Sequence, residues 1–140
     1  MSVKAIMSRD LIILDLDDNL EKAKQIFDET NIHHILVTDN HKLVGIITDR
    51  DVFKHLSPSV GTQRETAKDL LLLHKRVHLI MARNLVTAKA SISLNEAVLL
   101  FHDNHISCLP VVNSTGEPIG IISWRDIIKI VAHTYRKKIS

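Results

Sequence analysis

Cysteine and aromatic residues are scarce in this chain of 140 residues. The one cysteine, Cys108, has no partner for an internal disulfide, which fits a reducing compartment. Aromatic residues make up 4% of the sequence, so the 45% apolar content must pack mainly through Ile, Leu and Val. That content is enough for a sizeable core, which predicts one compact domain or two small halves that share a core.

Long hydrophobic runs and a strong net charge are also missing. The apolar runs are far shorter than the roughly 20 residues of a membrane span, and the segment MSVKAIMSRD lacks the apolar stretch of a signal peptide. The formal net charge of +2 is too mild for a nucleic-acid surface, and the basic cluster at 136–138 suits a helix C-terminus. The composition predicts a cytoplasmic protein with no membrane partner and disfavours nucleic acid as a ligand.

One seven-residue phrase occurs twice, as GIITDRD at 45–51 and as GIISWRD at 120–126. Apolar positions elsewhere align in the same two copies, which indicates a duplication. A half of about 60 residues would bury only roughly 60% of its unfolded surface, which is marginal, so the copies should pack together. We predict a first repeat at 1–56, a linker with an added helix at 57–76, and a second repeat with a C-terminal helix at 77–140.

Each repeat reads as strand, helix, strand, strand, helix, preceded by a short helix at 3–7 or 77–81. This order predicts an α/β (α+β) fold in which two pseudo-twofold-related β-α-β-β-α repeats form one module. Asp17 and Asp18 are candidate caps for the first long helix, and Ser93 with Glu96 forms a candidate capping box for its counterpart. The predicted strands are 11–14, 35–38, 43–48, 85–88, 109–112 and 119–123, and the predicted helices are 19–29, 49–56, a helix beginning at 66, 94–104 and 124–136.

The repeated phrase has a simple structural interpretation. A hydroxyl residue followed three positions later by an acid occurs at 48–51 and 123–126, but also at 66–69 and 93–96. In such a box the hydroxyl accepts from an early helical N–H, and the acid bonds back to the capping residue. The four-residue pattern therefore predicts helix starts and carries no functional information by itself.

What precedes the pattern supports a second interpretation. Gly45 and Gly120 each open an apolar strand that runs into a helix N-terminus, where N–H groups and the dipole favour an anion such as phosphate. A carboxylate one turn into the helix can accept hydrogen bonds from ribose hydroxyls, as in dinucleotide folds. A bare glycine lets another backbone or a flat ring approach closely. The phrase thus predicts two nucleotide sites, a hypothesis that ranks below simple capping on the residues alone.

The duplicated motifs resemble a tandem pair of cystathionine-β-synthase-type (CBS) domains, or Bateman module. The resemblance rests on IM at 6–7 and 80–81, LPVV at 109–112 and the phrase itself, and it leaves out only 57–76. It implies two clefts between the repeats and pairing of two modules in a flat homodimer. It also implies that AMP, ADP, ATP or S-adenosylmethionine binds and that an unidentified partner protein is regulated, with no cofactor required.

The resemblance assigns ligand roles to particular positions, and it implies a difference between the copies. The first copy has Ile13 where the second has Thr87, Leu36 where the second has Pro110, and Asp49 where the second has Trp124. We therefore expect one strong cleft at the second phrase and one weak or empty cleft. The implied roles are ribose for Asp51 and Asp126, phosphate for Thr48, Ser123, Arg50 and Arg125, and the adenine wall for Thr87, Leu109, Pro110 and Val111.

The histidines and the cysteine do not predict a metal site or a catalytic site. The histidine pairs at 74 and 78 and at 102 and 105 have helical spacing for two metal ligands, but no motif completes either site, so we predict surface histidines. Cys108 is expected to be a small core residue, and no catalytic motif is recognisable, so an enzyme is not predicted. Two alternatives stay open: a ligand-free dimerisation or interaction scaffold that uses the helix after 66, and nucleic-acid binding through the basic tail.

Overall fold

The computed structural model describes residues 1–139 and contains five α-helices and five strands within them. None of these helices combines the length and apolar character that crossing a membrane requires. Two single turns of 3-10 helix, Val3–Ala5 and Val77–Leu79, take the place of the two short helices predicted from sequence. In chain order the elements are β1 (Ile13–Asp15), α1 (Leu20–Glu29), β2 (His34–Asp39), β3 (Lys42–Thr48), α2 (Asp49–His55), α3 (Ala67–Leu73), α4 (Leu94–Asn104), β4 (Cys108–Val112), β5 (Pro118–Ser123) and α5 (Trp124–Ile139).

The contacts divide the chain into two compact units, one of which is built from two separate stretches of sequence. One unit is Ile12–Leu85, and the other joins Met1–Leu11 to the chain from Val86 onward. The 3-10 turn at Val3–Ala5 therefore belongs to the unit of the second repeat, and the turn at Val77–Leu79 belongs to the unit of the first. The two repeats thus exchange their leading segments.

The unit Ile12–Leu85 is built on a three-stranded sheet of order β1-β2-β3. Strand β1 runs parallel to β2, and β2 forms an antiparallel hairpin with β3. At the far edge of β3, Ile46 and Ala82 exchange backbone hydrogen bonds of 3.0 and 2.8 Å. The core of this unit consists of Leu14, Leu20, Ala23, Phe27, Ile35, Val37, Ile47, Val52, Val77 and Met81.

The second unit repeats this plan with a smaller sheet. Strands β4 and β5 form an antiparallel hairpin, and Ser8 pairs with Ile121 at its edge as Ala82 pairs with Ile46. The predicted strand at 85–88 is wrong, because that segment makes only an isolated bridge between Ala88 and Val111. Within 85–88 only Ala88 bonds to β4, through the Pro110 carbonyl and the Val112 amide, so the pairing is too short to form a strand. The core here consists of Val3, Ala88, Ala97, Phe101, Leu109, Val111 and Ile122.

The glycine of each phrase makes room for a methionine. A Cβ atom added at Gly45 would collide with Sδ of Met81, and one added at Gly120 would collide with Sδ of Met7. We expected the bare glycines to let a flat ring or another backbone approach closely. On the side where a Cβ would point this expectation was wrong, because a methionine side chain fills the space. Each methionine comes from the leading segment that the other repeat has contributed. A pliable thioether side chain fills such irregular gaps well.

Helix starts follow local capping chemistry. The cap of α1 is Asn19, whose Oδ1 accepts from the Lys22 amide at 3.0 Å, so the prediction of Asp17 or Asp18 was wrong. Asp18 instead accepts from the Asp15 amide at 2.7 Å. Helix α3 has Thr66 as its N-cap, the residue at which the helix was predicted to begin. Its capping acid, Asp69, also bonds to Ser59.

Asp69 completes the capping box of α3 and is buried. Its Oδ2 accepts from the Ser59 hydroxyl at 2.5 Å and from the Thr66 amide at 2.9 Å. The hydrogen bond from Ser59, followed by that from Thr66, lowers the pKa of the Asp69 carboxyl. One carboxylate thus ties the segment before α3 to the first turn of that helix.

Candidate functional site

The two phrases form equivalent junctions between a strand and a helix. In the first, the Thr48 amide donates to Oδ2 of Asp51 at 3.0 Å, and the Asp51 amide donates to Oγ1 of Thr48 at 3.1 Å. In the second, the Ser123 amide donates to Oδ2 of Asp126 at 2.7 Å, and the Asp126 amide donates to Oγ of Ser123 at 3.3 Å. The Ser123 hydroxyl also donates to that oxygen at 3.1 Å. The capping interpretation is therefore confirmed at both junctions.

The same pattern caps helices outside the phrases. Thr66 and Asp69 form a full capping box, and Oγ of Ser93 accepts from the Glu96 amide at 3.1 Å. The pattern of hydroxyl and acid is thus a helix-start device at all four of its positions. Any functional role of Asp51 and Asp126 must be added to this structural one. The capping bonds of both aspartates use Oδ2.

The first junction carries excess negative charge. The Asp49 amide donates to the His33 carbonyl at 3.2 Å, and Oδ2 of Asp49 lies 2.9 Å from Nδ1 of His33. Partial burial alone would raise the pKa of Asp49, but hydrogen bonds from the His33 ring and the Arg50 amide lower it overall. Burial, and then the neighbouring His33, lower the pKa of His34, which favours its neutral form. Asp49 and Asp51 therefore place two carboxylates in the first turn of α2.

The second junction has a different surface. Its helix α5 begins at Trp124, whose amide donates to the Ser107 carbonyl at 3.1 Å. The Trp124 side chain is 50% exposed, and the guanidinium of Arg125 lies 5.8 Å from the centre of its ring. Asp126 is the acid in the first turn of this helix. An anion approaching this junction therefore meets less negative charge than at the first.

The strand residues predicted to form a wall divide between the two faces of β4. Leu109 and Val111 are fully buried in the core, so their side chains are not available to a ligand, which corrects that part of the prediction. Pro110, between them, is buried as well, but it lies on the opposite face of β4, because side chains alternate along a strand. Thr87 is exposed and precedes Ala88, whose amide donates to the Pro110 carbonyl at 3.0 Å. Thr87 and Pro110 are thus the two wall candidates that remain.

The structure brings together one set of predicted residues in each unit. The unit that contains the second phrase holds Thr87, Pro110, Ser123, Arg125 and Asp126. Its hairpin register places Ser123 opposite Cys108, two positions from Pro110. The first phrase, with Thr48, Arg50 and Asp51, belongs to the other unit.

Cysteine and histidine chemistry adds no further site. Cys108 is buried, as predicted, and burial raises the pKa of its thiol to about 12, so it is not a thiolate at neutral pH. Residues 1–139 contain no group of three or more His, Cys, Asp or Glu side chains arranged to hold a metal ion. Sequence reasoning quoted Met7 and Met81 as part of a motif but missed their packing role, for which the paired glycines were the available signal.

Comparison with known proteins gives consistent matches. The family model of the CBS domain matches residues 3–58 and again 75–133. A CBS domain-containing protein of Dictyostelium discoideum is 34% identical over 131 residues, which cover 92% of this chain and 90% of that protein. Inosine-5′-monophosphate dehydrogenase of Thermoplasma acidophilum is 30% identical over 126 residues, or 89% of this chain but only 22% of the enzyme.

A solved structure extends these matches to the fold. The CBS domain pair of protein MJ0100, in complex with 5′-methylthioadenosine and S-adenosyl-L-methionine, superposes with a TM-score of 0.76. The two chains are 28% identical, and the match covers 96% of this chain and 98% of that one. The α/β fold predicted from sequence agrees with this structure.

Proposed function

Because this chain belongs to the CBS domain family, we propose that it is a regulatory module that binds an adenosine-containing ligand and signals its presence to a partner protein. The observation that carries the proposal is a CBS pair of matching length and 28% identity that holds two such ligands. The chain spans only about a fifth of the length of the dehydrogenase relatives, 22% in one case, so their activity is not carried over to it. We propose no catalytic activity.

The second phrase is the better candidate for the ligand. Asp126 would accept hydrogen bonds from the ribose hydroxyls, and Ser123 with Arg125 would face a phosphate where one is present. The start of a 16-residue helix favours that charge. Thr87 and Pro110 would lie against the base. A ligand that binds one conformation better than another shifts the population toward it, which is how occupancy would reach a partner.

Thermal unfolding of the intact chain tests the proposal. At a ligand concentration one hundred times its dissociation constant, binding to the folded state adds about 2.7 kcal/mol of stability. We expect a raised melting temperature with at least one of AMP, ADP, ATP, 5′-methylthioadenosine and S-adenosylmethionine. Guanosine monophosphate is the matched control for unspecific nucleotide effects. No shift with any adenosine compound would contradict the proposal.

A scaffold without ligand is the second candidate function. It is favoured by the capping bonds, because both aspartates of the phrases already have a structural role in the protein alone. On this alternative the junctions only start helices, and the helix after Thr66 recruits a partner. The same thermal measurement separates the two functions, since a scaffold gives no shift.

The two junctions should differ in their affinity for a phosphorylated ligand. Titration calorimetry with AMP should give one strong site per chain, because Asp49 and Asp51 repel a phosphate at the first junction, whereas Asp126 is the acid in the first turn of α5. Replacing Asp49 with asparagine should strengthen the weaker site and leave the strong one unchanged. Two equal sites in the unaltered chain would contradict the difference.

A further inference from the structure

The three methionines of this chain differ in how far solvent reaches them. Met1 is 72% exposed, Met81 is 8% exposed, and Met7 has an intermediate exposure. Met7 and Met81 are equivalent in position, since each covers the glycine of a repeated phrase. Of this equivalent pair, Met7 is the more accessible to a small solute.

The sulfur of Met7 lies against the backbone of β5. A Cβ atom added at Gly120 would collide with both Sδ and Cγ of Met7, and the side chain also packs on the core of its unit. The next residue, Ser8, exchanges backbone hydrogen bonds of 2.9 and 3.0 Å with Ile121. Met7 and Ser8 together therefore hold the leading segment Met1–Leu11 on the edge of β5.

A thioether in such a position can be modified reversibly by a peroxide. The sulfur attacks one peroxide oxygen, the O–O bond breaks, an S–O bond forms, and the other oxygen leaves as water. Two electrons pass from sulfur to the peroxide. The product, methionine sulfoxide, is polar and chiral and disrupts apolar packing, and methionine sulfoxide reductases convert it back.

An oxygen on Sδ of Met7 has no place beside Gly120. The sulfur is already so close to the strand that not even a Cβ atom fits between them. The amide and the carbonyl of Ile121, the next strand residue, both bond to Ser8. A polar oxygen buried without a partner is unfavourable. The sulfoxide must therefore turn towards water, and the side chain then no longer fills the space above the glycine.

We propose that Met7 is a site of reversible oxidation by peroxides, and that its sulfoxide loosens the leading segment Met1–Leu11 from β5. The equivalent contact in the other unit is protected, because Met81 is buried. Strand β5 ends at Ser123, so the change lies beside the second phrase and not beside the first. The proposal does not depend on whether a ligand binds.

Hydrogen peroxide treatment of the full chain, followed by mass spectrometry of its peptides, tests the order of reaction. Met1 should be oxidised first, Met7 next and Met81 last. The melting temperature should stay constant while Met1 alone is oxidised, and it should fall by at least about 3 °C as the sulfoxide of Met7 forms. Treatment with both methionine sulfoxide reductases, one for each epimer, should restore it.

Trypsin measures the release of the leading segment. Cleavage after Arg9 should be at least tenfold faster in the oxidised chain than in the untreated chain. Arg83 occupies the same position in the other leading segment, and cleavage after Arg83 is the matched control that should not change.

The variant Met7→Leu decides whether this sulfur is the cause, because leucine fills a similar volume and has no sulfur to oxidise. Its melting temperature should resist peroxide, whereas Met81→Leu should lose stability as the unaltered chain does. Oxidation of Met81 before Met7, an unchanged melting temperature once Met7 is oxidised, or an equal loss in peroxide-treated Met7→Leu would each overturn the proposal.

Discussion

Replacing Asp126 with alanine should raise the dissociation constant of the preferred adenosine ligand at least tenfold. The substitution removes a carboxylate that would accept charged hydrogen bonds from ribose, each worth about 1.5–3 kcal/mol, and 1.4 kcal/mol corresponds to a factor of ten. Titration calorimetry at a temperature well below the unfolding transition gives the affinity directly. This loss is the largest that the ligand proposal predicts for one side chain.

The control must separate ligand contact from helix capping, because Asp126 also accepts from the Ser123 amide. Asp69→Ala removes the corresponding capping acid of α3, outside both phrases. We expect Asp69→Ala to lower stability without changing ligand affinity. Equal affinity in Asp126→Ala and in the unaltered chain, with both folded, would show that Asp126 only caps the helix.

Replacing Gly120 with valine should destabilise the protein by about 1–3 kcal/mol, because overpacking a filled site forces its neighbours to shift. The new Cβ would collide with Met7, whose side chain occupies the space above the glycine. Valine is a better strand residue than glycine, so propensity alone would act in the opposite direction. Urea unfolding measures the change through the midpoint of the transition.

A double-mutant cycle tests whether the collision is the cause. In the variant Met7→Ala/Gly120→Val the added methyl groups gain room, so the combined loss should be smaller than the sum of the two single losses. The equivalent cycle with Met81→Ala and Gly45→Val should behave in the same way, since that glycine meets Met81. Strict additivity in both cycles would show that the methionines do not pack on the glycines.

The sequence predicted the local elements well where one face is strongly apolar. Helix α4 was predicted with its observed bounds, Leu94–Asn104, because Ser93 marks its start and the periodic apolar positions mark its length. Both hairpins were also predicted, since each pairs two apolar runs across a short polar turn. The run at 85–88 resembles the one at 11–14 in both pattern and burial, yet only Ala88 in it pairs with a strand, and a local pattern does not report how far pairing extends.

The candidate site was less predictable than the fold. The caps at Thr48 and Ser123 can be predicted from sequence spacing. The pairing of His33 with Asp49 cannot, because it depends on the strand register that places the start of β2 beside the start of α2. The loss of Leu109 and Val111 as wall residues also depends on which face of β4 meets the core. A short apolar run carries no information about which of its two faces that will be.

The exchange of leading segments has a consequence for the order in which the chain folds during synthesis. The Val3 amide bonds to the Ile92 carbonyl, and Ser8 and Ile121 bond to each other, so residues 3–8 are synthesised long before their partners. Closing such long loops is slow, because the entropy of the intervening chain is lost before the contact forms. The unit Ile12–Leu85 has no such requirement and can close first. On a ribosome Ser8 would therefore stay without its backbone partner until Ile121 has emerged.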